Sequence, residues 1–398
     1  MNGNSLETIT IDQLVPGMFV SQIVGQSGGV KIKSEGKVTS QKVVDVLRAR
    51  GVKKLVIDPN RAFTVAPPDT PNAEDPEEAR AEKKAKVPFF REIQRAEQLH
   101  AQGKEIQKSL LESVQKGLPF DDKIPRAFSH KLVESIDRNP DALLCLTKIR
   151  EKDDYLLEHS LNVAILLANF GQFVGMDEQQ VSDLAYAGFL HDMGKIRIPD
   201  NILHKPGRLT DPEMAVMKRH VEFGVDALHT ARIDSALIRV VSEHHERLDG
   251  KGYPAGIGGQ DISQEGRMLA IADMYDALTA DRCYKAGMPS QKAMKILLQD
   301  APERLDSGLV QQFIKCMGVY PVGSLVRLST DKLAMVLQQN DSPLTPVVKV
   351  FYSVKGGHFL EPKDIDLACD KRITIESSVL ASEYKIDFNS FFERSIAL

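Results

Sequence analysis

A chain of 398 residues, with 42% hydrophobic and 27% charged side chains, has room for two or three domains and a full apolar core. Its net charge of −4 argues against bulk binding to nucleic acid or to an anionic membrane surface. Four cysteines, Cys145, Cys283, Cys316 and Cys369, are scattered without close pairing, the pattern of free thiols in a reducing compartment.

Residues 1–65 read as a small α/β domain. Phe19 to Val24 and Lys54 to Asp58 have strand character, and Ser40 can cap a helix through VVDVLRAR that Gly51 closes. The N-terminus has no basic stretch followed by an apolar one, so a secretory signal is not expected and the cytoplasm is the expected compartment. Residues 66–88 are rich in Pro, Ala and charge and read as a linker. A helical connector follows over 89–152, with helices from Phe89 to Gly117 and Asp122 to Asp137 and a break at Asn139-Pro140.

Over 153–320 the helical period recurs at Asp154–Val174, Asp177–Met193, Asp211–Thr230, Asp234–Arg247, Gln264–Arg282, Ser290–Gln299 and Leu309–Met317. Several of these begin on Asp or Ser in a capping position. The longest apolar run, Leu161 to Phe170, is broken by Asn162 and Asn169 and is too short to span a bilayer. Residues 321–398 hold short β-rich runs, GSLVRL, LAMVLQ and PVVKVFYS, that fit a small sheet. The fold class is therefore mainly α: a helical bundle with a small N-terminal α/β domain and a small C-terminal β module.

Five of the ten histidines fall in the bundle in a suggestive arrangement: His159, His191, His220, His244 and His245. Asp192 follows His191 directly, and Asp273 lies in another predicted helix. Facing helices that each project one or two ligands inward are how bundles build metal sites. Imidazole with carboxylate suits Fe, Mn, Zn or Ni, and a carboxylate such as Asp192 can bridge two ions. Two ions about 3.5–4 Å apart clamp the attacking and leaving oxygens of a phosphoester displacement. A lone histidine is more often structural, and His100, His130, His204, His229 and His358 are read that way. The doublets resist that reading. Adjacent helical residues point about 100° apart, so both members can face one site only near a helix end or a wide cavity. Lys195, Arg282 and Lys285 add cations suited to phosphate or a guanine edge.

At these residues the chain resembles the HD-GYP family, a subgroup of the HD metal-dependent phosphohydrolases. The matching words are HS-NVA at 159–164, HD-GK at 191–195, IP-NIL-KPG at 198–207, HHE-DG-GYP at 244–254 and D-YDALT-R-YK at 273–285. The resemblance implies an all-α catalytic domain, iron or manganese at a centre of two or three metals, and hydrolysis of cyclic dinucleotides. Cyclic di-GMP is the chief substrate of the family, and some members prefer 3′,3′-cyclic GMP-AMP. Carried over by position, His159, His191 and Asp273 would bind one ion and His220, His244 and His245 the other, with Asp192 as bridge.

By the same resemblance Lys195 would hold the scissile phosphate, Arg282 and Lys285 would contact guanine or the distal phosphate, and Asp276 would act beside the bridging water. The loop Gly252-Tyr253-Pro254 would serve signalling-protein contacts and loop geometry, and a homodimer stays open. So does the alternative of a weakly catalytic effector acting through protein partners. The LVPGMFV segment resembles a small domain of unknown role found ahead of such domains. Two departures stand out: Cys283 replaces a usual proline, and Tyr155 replaces the glutamate that three-metal members carry one turn before the first histidine. About two ions per chain are therefore expected from metal analysis of anaerobically purified protein. A content close to three would contradict the Tyr155 argument.

Overall fold

Strands β1 (Glu7–Thr10), β2 (Phe19–Gln26), β3 (Gly36–Lys37) and β4 (Val52–Ile57) pair antiparallel in the order β1-β4-β2-β3. In this computed structural model the described residues are 6–15, 18–26, 36–38, 44, 47–48, 51–61, 87–148, 155–280 and 287–386. The period-2 pattern of β4 turns Leu55 and Ile57 inward, into one cluster with Ile11, Leu14, Val20 and Val52. Of the helix expected after Ser40, only Val44, Leu47 and Arg48 fall within the described residues, and 66–86 lie outside them. The chain forms two compact units, Met1–Lys83 and Lys84–Leu398.

The second unit begins with α1 (Phe89–Gln115), α2 (Lys123–Arg138) and α3 (Pro140–Leu146). The break expected at Asn139-Pro140 is the start of a helix. The Asn139 side chain accepts a hydrogen bond from the Asp141 N–H at 3.1 Å, and Pro140 occupies the first turn, where its missing donor costs nothing. Next come α4 (Tyr155–Phe173) and α5 (Glu178–Leu190), the latter opened by a capping box between Asp177 and Gln180. Between Leu161 and Phe170, α4 is apolar nearly all round, so it runs through the centre of the bundle.

The single helix expected over Asp211–Thr230 is two: α7 (Asp211–Lys218) and α8 (His220–Thr230), after a short α6 (Asp200–Leu203). Next, α9 (Ser235–Ser242) stops short of the expected Arg247, which leaves His244 and His245 beyond its end. Then α10 (Gln264–Thr279), α11 (Ser290–Asp300) and α12 (Ser307–Met317) complete the bundle. Strands β5 (Leu325–Leu328), β6 (Lys332–Gln338), β7 (Val347–Ser353), β8 (His358–Asp366) and β9 (Ile375–Val379) form an antiparallel sheet in the order β8-β7-β6-β5-β9. β8 and β9 lie in the tail read as mixed, because β8 is too charged and exposed to show alternation.

One core runs from Phe89 through the helices to Val336, Phe351 and Ile386. The divisions expected at 152 and 320 thus do not separate packed units. The connector helix α1 reaches the centre directly: buried Gln107 donates its side-chain N–H to the Phe189 carbonyl at the end of α5. In return Arg197 donates to the Val114 carbonyl at the end of α1, at 3.2 Å. Among the described residues no helix is long and apolar enough to cross a membrane, and Cys145, Cys316 and Cys369 are free thiols.

α1 and α2 are locked by an ion pair. The Glu92 carboxylate is fully buried and receives Arg138 Nε at 2.9 Å, Arg138 Nη2 at 2.8 Å and the Ser135 hydroxyl at 2.8 Å. Removing only the cation strands a buried charge, which costs more than the pair itself contributes. Arg138→Leu should lower stability by about 3 kcal/mol, and Glu92→Leu/Arg138→Leu should regain most of that loss. Denaturant midpoints of the two variants decide it, and a double variant no more stable than the single one would contradict the argument.

Candidate metal centre

The site forms where helix ends meet. α5 ends at Leu190, so His191 and Asp192 lie just past its C-terminus, and Asp192 leaves helical geometry at φ −104° and ψ 6°. His244 and His245 follow the end of α9 in the same way. This resolves how two adjacent side chains serve one centre: the chain turns between them. His220 opens α8, and the interruption at Arg219 turns it inward. Only His159 and Asp273 lie within long helices, α4 and α10.

These residues converge. His159 Nε2 lies 3.0 Å from Asp273 Oδ1 and 3.3 Å from Asp192 Oδ2, and His191 Nε2 is 3.3 Å from the same Asp192 oxygen. The other oxygen, Oδ1, faces His220 Nε2 at 3.4 Å and His244 Nε2 at 3.9 Å. His245 Nδ1 is 3.8 Å from Asp273 Oδ2. Asp192 therefore stands between two histidine sets with one oxygen toward each. His159, His191, His220, His244 and Asp192 are almost wholly buried, Asp273 nearly so and His245 partly.

The protonation of the rings is set from behind. His191 Nδ1 donates to the Gly188 carbonyl at 2.7 Å, His220 Nδ1 to Met217 at 2.8 Å and His244 Nδ1 to Val241 at 2.6 Å. In each case the acceptor is three residues back, among the last four carbonyls of a helix, which lack helical partners. His159 Nδ1 donates to Asp276 Oδ2 at 2.8 Å. Each Nε2 is left with a lone pair facing inward, the arrangement seen where histidines ligate metals.

Lone pairs then face lone pairs. His220 Nε2 and His244 Nε2 are 3.3 Å apart, and both rings are neutral because burial lowers the His220 pKa to about 4 and that of His244 further. Buried His191 Nε2 and Asp192 Oδ1 have no hydrogen-bond partner. Such orphaned acceptors are costly unless a cation sits among them. The donor triplets His220/His244/His245, His159/His191/Asp273 and His191/Asp192/His244 each fall within 4.8 Å. All are drawn from the predicted ligands, and the residues fit metal.

Electrostatics favours the same state. Burial would raise the Asp192 carboxyl, yet the imidazoles packed around it and the Lys195 ammonium outweigh that and hold it well below the usual carboxylate range. Asp273 behaves likewise, with His159 prominent among the causes that outweigh burial. Burial pushes His245 down to about 3. Lys195 donates to Asp192 Oδ2, one side of it still open to solvent.

Asp276, expected to act beside a bridging water, is buried behind His159 and accepts that ring's outer N–H. Arg282, Lys285 and Cys283 lie outside the described residues, as does the side chain of Tyr155. The signature loop folds over the second histidine set. The Tyr253 ring lies 4.7 Å from that of His245 and 6.4 Å from that of His220. Gly252 allows this, because a Cβ there would come within 2.4 Å of the Glu246 Cα. Pro254 is exposed. Glu246, unassigned from sequence, anchors the loop: its Oε1 accepts from the Ala255 N–H at 2.7 Å and the Gly256 N–H at 3.0 Å.

A glycine also decides the other side. Gly194 packs so closely on α8 that a Cβ would lie 2.0 Å from the His220 carbonyl oxygen and 2.5 Å from the Gly224 nitrogen. The carbonyls that orient the rings, on Gly188, Met217 and Val241, lie outside the motif words and carried no signal in the sequence, and Glu246 carried none beyond lying inside HHE-DG-GYP.

A bundle with two His/Asp sets sharing one buried carboxylate defines a metal-site protein of the HD type, and sequence comparison agrees. Residues 144–309 match the family model described as HD domain. Residues 6–123 match a domain of unknown function, and 325–386 a KOW domain associated with HD domain. A cyclic di-GMP phosphodiesterase of Pseudomonas aeruginosa is 34% identical over 91% of this chain and 89% of its own length. A 3′3′-cGAMP-specific phosphodiesterase of Vibrio cholerae is 36% identical over 39% of this chain and 30% of its own. A cyclic di-GMP phosphodiesterase response regulator of Xanthomonas campestris is 39% identical over 40% of this chain and 42% of its own. The chain belongs to the HD-GYP cyclic dinucleotide phosphodiesterase family of HD-domain proteins.

Burial of the histidines makes stability depend on pH. An unfolded histidine protonates near 6.5, while folded His220 resists protonation down to about 4. Between those values the unfolded chain binds more protons, so stability falls as pH falls. Metal-free protein should lose up to about 3 kcal/mol through His220 alone between pH 6.5 and 4. Saturating Mn2+ should raise Tm at pH 7.5, and that gain should shrink on acidification as protons compete for the rings. A Tm of the metal-free protein that stays flat across this window would contradict it.

Proposed function

We propose that the protein hydrolyses cyclic di-GMP, with two divalent ions, iron or manganese, held by His159, His191 and Asp273 on one side and His220, His244 and His245 on the other. The observation that carries this is Asp192, whose two oxygens face the two sets. Family membership supports a cyclic dinucleotide as the substrate class. When bound, the ions would supply Lewis acidity and a water of lowered pKa.

The chain's own residues do the rest. Asp192 fixes the spacing of the two sets. Asp276 keeps the outer proton on His159 and so presents Nε2 as a donor pair, which makes it a positioning residue. Lys195, hydrogen-bonded to Asp192, has its ammonium at the mouth and can transfer that contact to a substrate phosphate. The packed loop at Tyr253 limits water on the side of His245.

The test is turnover by full-length protein purified anaerobically and supplied with Mn2+ or Fe2+, with cyclic di-GMP, 3′,3′-cyclic GMP-AMP and bis-p-nitrophenyl phosphate in parallel. Cyclic di-GMP should be consumed, with linear dinucleotide or GMP appearing on chromatography. A metal-loaded protein that consumes no cyclic dinucleotide overturns the reading. Asp192→Ala should keep its helical circular dichroism and lose more than about 100-fold in turnover, and His191→Ala likewise. Substantial activity in metal-loaded Asp192→Ala would refute the bridging role.

A further inference from the structure

Beside the mouth of the centre stands a cation to which neither the motifs nor the proposed mechanism assigns a task. Lys218 ends α7, two residues before His220, and is exposed. Its ammonium lies 4.9 Å from the centroid of the Tyr253 ring, and that ring lies 4.7 Å from the ring of His245. The charge thus sits two ring contacts from a residue of the second histidine set.

Its neighbours are differently placed. Lys205 is paired with Glu213 at 2.6 Å, and Arg219 reaches Glu222 at 3.7 Å. Among the described residues Lys218 has no carboxylate partner, only the face of Tyr253. An ammonium on an aromatic face keeps most of its capacity for an anion, because the ring offers only a weak attraction at an exposed site. The shelf beneath it is rigid: the Tyr253 N–H donates to the His245 carbonyl at 3.2 Å, and Glu246 holds the following two amides.

We infer that Lys218, seated on Tyr253, is a specificity-determining contact for the part of a doubly charged substrate that lies away from the reacting phosphate. A cyclic dinucleotide carries two phosphates on opposite sides of its ring. With one at Asp192 and Lys195, the other must extend over the rim, and Lys218 offers the unneutralised charge on the Tyr253 side. The inference rests on the substrate class proposed above. The competing account is local: a lysine in the last turn of a helix complements the helix dipole and does nothing more.

Mn2+-loaded full-length Lys218→Met and Lys218→Arg are compared with the unaltered chain on cyclic di-GMP and on bis-p-nitrophenyl phosphate, which has a single phosphate. In Lys218→Met, KM for cyclic di-GMP should rise about tenfold while kcat changes less than about twofold, the size expected for one charged contact. The small ester should lose proportionally less. The salt dependence of KM for cyclic di-GMP should flatten in Lys218→Met and return in Lys218→Arg, since an exposed ionic contact is screened by salt. An unchanged KM, equal losses on both substrates, or a fall in Tm without a KM effect overturns the inference. If the unaltered chain cleaves only the small ester and cyclic di-GMP fails to inhibit it, the substrate reading falls and this inference with it. Normal cyclic di-GMP kinetics in Lys218→Met leaves that reading standing and removes Lys218 alone.

Discussion

Everything around the centre answers one constraint: a carboxylate, Asp192, is buried at the heart of a helical bundle. Isolated charge in such a place costs several kcal/mol, so each of its oxygens must be compensated. Its neighbours come from helices far apart in sequence, with His159 and His191 on one side and His220 and His244 on the other. The lysine at the mouth completes the shell from solvent. Neutral imidazoles supply acceptors, not positive charge, which is why the assembly is incomplete without cations. Acceptors packed this densely are what metal binding stabilises.

Precision follows from how helices end. The last four carbonyls of a helix have no helical partner, and burying them unpaired is costly. Here α5, α7 and α9 each spend one such carbonyl on the outer nitrogen of a histidine three residues on. Phe189, beside Gly188, gives its carbonyl to Gln107 of α1. One arrangement thus satisfies the backbone, selects the tautomer and aims the ligand. It also explains why helices 89–138, which carry no ligand, belong to the same packed unit. They close the ends from which the site is built.

Two glycines show how little slack this leaves. Gly194 lets the turn after Asp192 touch the backbone of His220, and Gly252 lets the signature loop lie on the chain just past His245. The loop lays Tyr253 against the second histidine set. The C-terminal sheet joins the bundle through shared apolar core, from Val326 to Phe351, and lies outside the histidine sets.

Much was legible in advance. Helical periodicity located nearly every helix of the bundle, because apolar spacing and capping residues are local properties of the chain. The doublets His191-Asp192 and His244-His245 marked the candidate ligands that converge in the structure, since adjacent donors make little sense on a continuous helix. Where local signals ran out, the reading erred in kind: one helix was expected across His220, and α9 was run on through both histidines. Those ends are decided by contacts with Gly194 and by the turn that follows, not by propensity. Asp276 shows the same division. Its position one turn after Asp273 was plain, but its contact with the outer nitrogen of His159 depended on which helix packed against α10. The sequence by itself determined which side chains could ligate and on which elements they ride, because composition and period are carried by the chain. Only tertiary structure decided which nitrogen each ring presents and which oxygen of Asp192 faces which set. The hydrogen bond that fixes His159 reaches Asp276, 117 positions away, and those that fix His191, His220 and His244 span three residues but form only where packing ends a helix, so none has a local signature.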